Sequence, residues 1–430
     1  MLNEWNQLEI SVVCELIIDC VNKTAPLVTE PTEYKMIRTT NVKQGWVDVD
    51  NVRYVSEDVY KKWTRRIVPK KGDIILTREA PLGEVGLVRT DDKIFLGQRT
   101  ILYRANPAIV LPNFLYYLFL SDVVQGQLRS FGSGSTVEHI RIEDCKSFKV
   151  MIPSIKVQQQ IASILTSYDK LIEVNNQRIK LLKETAQELY EEWFVRMRFP
   201  GYKTAKLEKG IPDSWNIVPI GKVIDYSIGG GWGNDDQNNE FSVTAYVIRG
   251  TDIPKVRVGT ANKEVYRFHK GSNVKSRELI EGDIVFETAG GSEGQLLGRT
   301  CYITREILSN YEDKVIPASF CKLIRTKSIP SLYLYYFINY LYDTGMIETY
   351  QTQSTGISNY QFEPFLKFQQ IILPEKCLMQ SFHDKVLVMQ KEIAILGEQN
   401  TQLRGIRERL LPRLISGKLK IKIAEEVQCL

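Results

Sequence analysis

The residues best equipped for chemistry are cations interleaved with aromatics. Lys61-Lys62-Trp63-Thr64-Arg65-Arg66 is the densest cluster, followed closely by Lys70-Lys71, with Arg78 a little further on. A second group, Lys255, Arg257, Arg267, His269, Lys270, Lys275 and Arg277, surrounds Tyr266 and Phe268. Such clusters can neutralise phosphates, and their arginine forks can reach guanine edges. A solvated charged face explains any one cluster equally well; recurrence in two places tilts the balance toward a DNA reader. Ser135-Thr136 and Ser354-Thr355 add hydroxyls and backbone N–H groups in small-residue loops. They suit phosphate contacts, although a plain turn also accounts for each.

Catalytic signatures are missing. Ser416-Gly417-Lys418-Leu419 lacks the glycine spacing and the hydroxyl of a phosphate loop. No H-E-x-x-H and no G-x-S-x-G occurs. Asn106-Pro107-Ala108 does not match the Asn-Pro-Pro-aromatic signature of amino-methyltransferases. Glu312-Asp313-Lys314 and Asp144-Cys145-Lys146 fit half of a nuclease motif, as triplets do by chance in a chain with 25% charged residues. Gly229-Gly230-Gly231-Trp232-Gly233-Asn234 lacks dinucleotide-fingerprint spacing and reads as a flexible loop. No catalytic residue and no metal ligand set is assigned.

The elements that must position these residues come from a chain of 430 residues, enough for two or three domains. Hydrophobic residues make up 43%, so the chain can build sizeable cores. Net charge is +5, mildly basic, which permits nucleic acid without requiring it. Seven scattered cysteines with no C-x-x-C, and three dispersed histidines, support neither a disulfide framework nor a metal site. No apolar run reaches the roughly 18 residues of a membrane span, and the N-terminus has no signal-peptide layout. A cytoplasmic protein without membrane contact is expected.

The chain is written twice. Trp5-Asn6 returns as Trp215-Asn216 and Gly72-Asp73-Ile74 as Gly282-Asp283-Ile284, both at an offset of 210. Pro112-Asn113-Phe114 faces Pro330-Ser331-Leu332, Ser135-Thr136 faces Ser354-Thr355, and Ile152-Pro153 faces Leu373-Pro374, with an offset that never decreases. Matches kept in this order make a tandem duplication. Each copy predicts short strands (73–77, 84–88 and 100–103; 283–287, 299–303 and 320–324), then a helix after Pro112 or Pro330, a small-residue loop and a long helix.

Those long helices carry heptad stripes. Leu165, Ile172, Ile179, Ala186 and Trp193 form one seam series, with Ile161, Tyr168, Asn175, Leu182 and Leu189 as the other. The second helix repeats the pattern with Val386, Ile393, Asn400, Arg407 and Leu414, and with Phe382, Met389, Leu396, Leu403 and Leu410. Ser154 is expected to cap the first helix and Pro412 to end or kink the second. Two such helices should pack on each other, with polar seam residues fixing register. The expected fold is α+β: two tandem globular domains of mixed strands and helices, each followed by a long helix. The helices should form an antiparallel coiled coil with pseudo-two-fold symmetry. The boundaries are 1–153 and 215–374 for the domains, 154–198 and 375–420 for the helices, 199–214 for a linker and 421–430 for a tail.

In this order, the duplicated Gly-Asp-Ile strand, the Ile152-Pro153 and Leu373-Pro374 junctions, the linker Phe199-Pro200-Gly201 to Trp215, and Leu410-Leu411-Pro412-Arg413-Leu414 resemble the specificity subunits of type I restriction-modification systems. The resemblance spans almost the whole chain. It implies two target recognition domains reading the halves of a bipartite, asymmetric sequence in double-stranded DNA. It implies helices that set the gap and dock two methyltransferase (modification) subunits, joined by two restriction/translocase subunits where the system carries them. S-adenosylmethionine, ATP and Mg2+ would then belong to those partners, and this chain would bind no cofactor and catalyse nothing. Two rival classes are a stand-alone DNA-binding phage-defence component and a coiled-coil assembly scaffold without DNA specificity.

Overall fold

A computed structural model of the chain describes residues 5–43, 45–132, 139–208, 210–290, 294–354 and 357–419. It divides into two compact units: residues 1–170 with 404–430, and residues 171–403. The boundary falls inside both long helices, so each unit owns one globular segment and part of each helix.

In the first unit the central sheet has six strands, in the order Cys14–Asp19, Thr100–Ala105, Ile74–Arg78, Leu82–Leu87, Gly45–Val47, Val42–Lys43. The Gly-Asp-Ile strand, Ile74–Arg78, is buried along its whole length, which is why its opening Ile74-Ile75-Leu76 is apolar without alternation. A smaller sheet joins Arg53–Tyr54, Tyr34–Ile37 and Lys93–Leu96, the last two being parallel. Helix Pro112–Leu120 buries Phe114 to Phe119 without a break; apolar on every side, it belongs inside the core.

The second unit repeats the plan. Its main sheet runs Tyr226–Gly229, Cys321–Arg325, Ile284–Glu287, Thr300–Tyr302, and its smaller sheet Tyr266–His269, Val243–Ile248, Val315–Pro317, again with a parallel pair. Helix Ser331–Asp343 takes the place of Pro112–Leu120. Each globular segment is closed by pairing its first strand with its last: Asn6–Glu9 with Lys149–Ile152, and Asn216–Pro219 with Gln370–Leu373. That closure explains why the repeated Trp-Asn and apolar-Pro junctions bracket each copy.

The repeated Gly-Asp-Ile aspartates have one structural role. Asp73 accepts Nε and Nη2 of Arg104, both at 2.7 Å, and the N–H of Lys70 at 2.8 Å. Asp283 accepts Nε and Nη2 of Arg325, both at 2.7 Å, and the N–H of Ile280 at 2.8 Å. Both carboxylates are buried, and each fork ties two neighbouring strands of the main sheet together.

The first long helix spans Ile155–Tyr190, 36 residues, and continues as a π-helical turn to Val195. The carbonyl of Ser154 accepts the first helical bond, from Gln158 at 3.0 Å. The second long helix spans Lys376–Ile415, 40 residues. Pro412 stands inside it, and the helix closes three residues later; Leu414 and Ile415, buried in the core of the first unit, carry it that far.

Within the second unit the two helices run antiparallel. Asn175 donates to Asn400 (3.1 Å) and Arg178 to Glu392 (2.5 Å), while Tyr190, Trp193 and Phe194 pack on Phe382. Ile179, Ile393 and Leu396 form a buried cluster flanked by Leu182, and Asn400 also donates to Asn176 at 2.9 Å. Each apolar side chain buried there stabilises by about 1.5–3 kcal/mol, and the asparagine pair disfavours shifted registers. Gly397 touches a loop of its own globular segment: a Cβ there would lie 2.3 Å from the Val258 carbonyl oxygen. Ile172 is buried, and Leu189 and Leu403 are partly so.

Within the first unit Leu165 and Ile161 share a core with Leu414, against which Leu410 packs. Asp169 accepts from Tyr117 (2.7 Å) and from Arg407 (2.6 Å). Arg407 is thus a seam cation with a buried counter-charge.

Candidate nucleic-acid interface

In both units the same backbone landmarks meet at the C-terminal end of the Gly-Asp-Ile strand. In the first, the N–H of Ile140, just after the small-residue loop, donates to the Arg78 carbonyl at 3.1 Å. In the second, the N–H of Tyr360, just after its own small-residue loop, donates to the Thr288 carbonyl at 2.8 Å. A tight turn recurs as well. Ile37-Arg38-Thr39-Thr40-Asn41 folds with the Asn41 amide oxygen accepting the Arg38 N–H at 3.0 Å. Ile248-Arg249-Gly250-Thr251-Asp252 folds likewise, with Asp252 accepting the Arg249 N–H at 2.9 Å. This arginine turn is absent from a reading based on cation density, yet a repeat offset of 211 picks it out.

The cations singled out by sequence divide into engaged and free groups. Arg66 donates to the Asp19 carboxylate (2.8 Å) and to the carbonyls of Asp19 and Cys20, at the end of the first sheet strand. Arg277 does the same work in the second unit, donating from Nε to the Gly229 carbonyl at 2.8 Å. Arg78 is buried and reaches the Ile140 carbonyl at 3.3 Å. Arg257 is partly buried and donates to Asn339 at 3.0 Å. Arg267 pairs with Asp235 (2.8 Å) and lies over the Trp232 ring at 4.8 Å. Lys61 pairs with Glu57 and Lys255 with Glu264.

Lys62, Arg65 and Lys275 are exposed and have no carboxylate within ion-pair distance among the described residues. Ser135, Thr136 and Thr355 lie outside the described residues, and of Ser354 only the backbone, in strand Gln351–Ser354, is described. That strand pairs with Ile357–Tyr360, which pairs in turn with Ala289–Gly290, so its hairpin sits at the same strand end as the landmarks above.

The strand ends of the two units carry different chemistry. In the first, Glu79 faces Arg99 (3.4 Å) and His139 (3.5 Å). In the second, Glu287 is buried and holds the Arg299 guanidinium at 2.8 and 2.5 Å, which raises the already high pKa of that arginine. Burial alone would push the Asp252 carboxyl up, but Arg249 (2.8 and 2.9 Å) and Asn262 (2.6 Å) hold it below its usual range. Gly229–Gly233 is no loose loop. The Gly230 N–H donates to the Cys321 carbonyl and the Gly231 N–H to that of Pro317, and a Cβ on Gly230 would lie 2.1 Å from the Ala318 oxygen. No group of histidine, cysteine and carboxylate side chains that could hold a metal occurs among the described residues. Among them, too, no helix is long and apolar enough to cross a membrane.

Comparison with known proteins agrees along the chain. Residues 3–184 match the family model described as the type I restriction modification DNA specificity domain. The type I restriction enzyme MjaIX specificity subunit of Methanocaldococcus jannaschii is 27% identical over 399 residues, covering 86% of this chain and 82% of that one. The HindI specificity subunit of Haemophilus influenzae is 24% identical over 403 residues, covering 81% and 87%. The crystal structure of a type I restriction-modification S subunit from M. genitalium shares the fold, with a TM-score of 0.57 over 96% of each chain at 14% identity. Residues 3–184 thus carry the type I restriction modification DNA specificity domain, and the chain as a whole, with its duplicated sheets, long helices and matching strand-end landmarks, is similar to type I restriction-modification specificity subunits.

Proposed function

We propose that this chain reads a bipartite, asymmetric double-stranded DNA target, one half with each globular segment, on behalf of partners that carry the chemistry. The observation that carries the reading is the twice-built strand: the same buried aspartate–arginine fork at its start, and the same arginine turn and loop return in each unit, decorated with different side chains. A conserved scaffold with divergent decoration suits two half-sites of different sequence. Lys62, Arg65 and Lys275, exposed and without an ion-pair partner among the described residues, are available for phosphates. The long helices act as the spacer. At about 1.5 Å per residue they are roughly 50–60 Å long, enough to separate sites that recur about every 34 Å along DNA.

Two modification subunits dock on this chain, together with two restriction/translocase subunits where the system has them. Those partners supply S-adenosylmethionine, ATP and Mg2+, while this chain binds none and is non-catalytic. The complex works where the DNA is, in the cytoplasm.

The test is modular exchange. Replacing residues 1–153 by a recognition segment of different sequence should change one half of the methylated motif. Lengthening both helices by one turn should change the gap and leave both halves intact. A change in the whole motif from either alteration would contradict the reading.

A further inference from the structure

The second unit contains a cavity of about 750 Å³ at the strand end described above. Trp232 and Phe320 line it, 42% and 57% exposed, as do Leu297, Arg249 and the buried Glu287–Arg299 pair. Trp232 is held from both sides, by the Gly231 N–H on the Pro317 carbonyl (2.9 Å) and the Asn234 N–H on the Phe268 carbonyl (2.8 Å). Exposed indole and phenyl rings fixed at the wall of a cavity are unusual for surface residues, which ordinarily bury such area.

Charge decides among occupants. Arg299 is committed to Glu287, and Arg249 to Asp252 and to Glu264 (2.8 Å). With Lys255, which shares Glu264 at 3.4 Å, three cations face three carboxylates, and among the described residues no surplus positive charge remains there to draw in a phosphate. What remains is aromatic and aliphatic wall around a polar pair whose donors and acceptors are fixed. That suits a flat, neutral heteroaromatic group with a hydrogen-bonding edge. Bases within a duplex show only their groove edges and cannot enter a cavity; a base must first leave the stack.

We infer that this cavity receives one nucleobase turned out of the bound DNA, stacked by Trp232 and Phe320 and faced by the Glu287–Arg299 pair. The inference rests on the proposed DNA-reading function and adds to it a site and a ligand class. It applies to the second unit alone. At the matching strand position, four residues after the Gly-Asp-Ile aspartate, the first unit has Thr77, and Arg99 precedes Thr100 as Phe320 precedes Cys321.

The test couples wall and base in the complex with modification subunits. A Trp232→Ala/Phe320→Ala variant is compared with the native chain for binding to target DNA, intact or with one abasic position moved stepwise through both half-sites. On intact DNA the variant should bind about ten- to a hundred-fold more weakly, the range expected for a lost stacking platform. At one abasic position in one half-site the difference should vanish, because the base that used the wall is gone. Equal binding of both chains to intact DNA, or a difference that persists at every position, would overturn the inference. Adenosine, guanosine, cytidine and thymidine are titrated separately without DNA. Saturable binding abolished by the variant, with no vanishing position in DNA, would assign the cavity to a soluble nucleoside instead. If the native complex methylates no split sequence, the functional reading falls and the inference with it; specific methylation without coupling sinks the inference alone.

Discussion

Replacing Asp283 by alanine probes the duplicated scaffold most deeply. Its carboxylate, 1% exposed, accepts two bonds from Arg325 and one from the Ile280 N–H. Truncation leaves a guanidinium that is 26% exposed without its counter-charge and a backbone N–H without its acceptor. Breaking a buried pair from one side costs about 3–5 kcal/mol. Water can reach part of Arg325, so the lower end, about 3 kcal/mol, is the expected loss. In a unit of this size each kcal/mol lowers Tm by roughly 2–4 °C, giving a fall of about 6–12 °C. The twin substitution Asp73→Ala should lower the first unit at least as far, because Arg104 is only 14% exposed. Differential scanning calorimetry of the full chain reads the shift, and hydrogen-exchange mass spectrometry assigns it to residues 171–403 or to the other unit. Asp283→Leu combined with Arg325→Met should recover at least half of the loss, since no charge is then left unpaired. An unchanged Tm, or equal loss of protection in both units from Asp283→Ala alone, would refute the reasoning.

Three further outcomes follow from the same geometry. Gly397→Ala should destabilise the second unit by about 1–3 kcal/mol through overpacking, although alanine favours a helix by about 1 kcal/mol; a higher urea midpoint would contradict the close approach of Val258 and Gly259. Burial pushes the thiols of Cys14 and Cys301 up to about 12 and that of Cys145 to about 11, whereas Cys377 is exposed. Brief alkylation at pH 8 followed by peptide mass spectrometry should therefore mark Cys377 and spare those three; labelling of Cys301 as fast as Cys377 would overturn the packing. Burial, and then the neighbouring Arg267, lower the pKa of His269, so the folded state takes up its proton less readily than the unfolded state. Stability from this group is complete above about pH 6.5 and is lost as pH falls through that value. His269→Phe should flatten the acid side of the second unit's stability profile, and an unchanged slope would count against a neutral buried imidazole.

Much of the scaffold was legible because duplication acts as an internal control. The Gly-Asp-Ile strands, expected at 73–77 and 283–287, are Ile74–Arg78 and Ile284–Glu287. The heptad stripes foretold long helices because burial on one face leaves a period that chance rarely sustains. Cation density was less informative. It cannot separate Arg66 and Arg277, which donate to backbone carbonyls, from Arg65 and Lys275, which face solvent. The arginine turn is faint in the sequence because Thr39 and Asn41 are replaced by Gly250 and Asp252, leaving Ile-Arg-x-Thr as a short match. The cavity was invisible for a different reason. Trp232, Glu287, Arg299 and Phe320 come from separate segments that only the sheet order brings together. The glycine run reads as looseness in one dimension, whereas in three it lets two backbones touch.

The most direct test of the central claim is a genome-wide adenine-methylation map of the host with and without this gene. A specificity subunit predicts the loss of one split, asymmetric motif on deletion and its return on complementation, with both half-sites read out at once. If no motif disappears while the modification subunit is expressed, the chain does not direct methylation, and the account of two DNA-reading domains on a helical spacer is wrong.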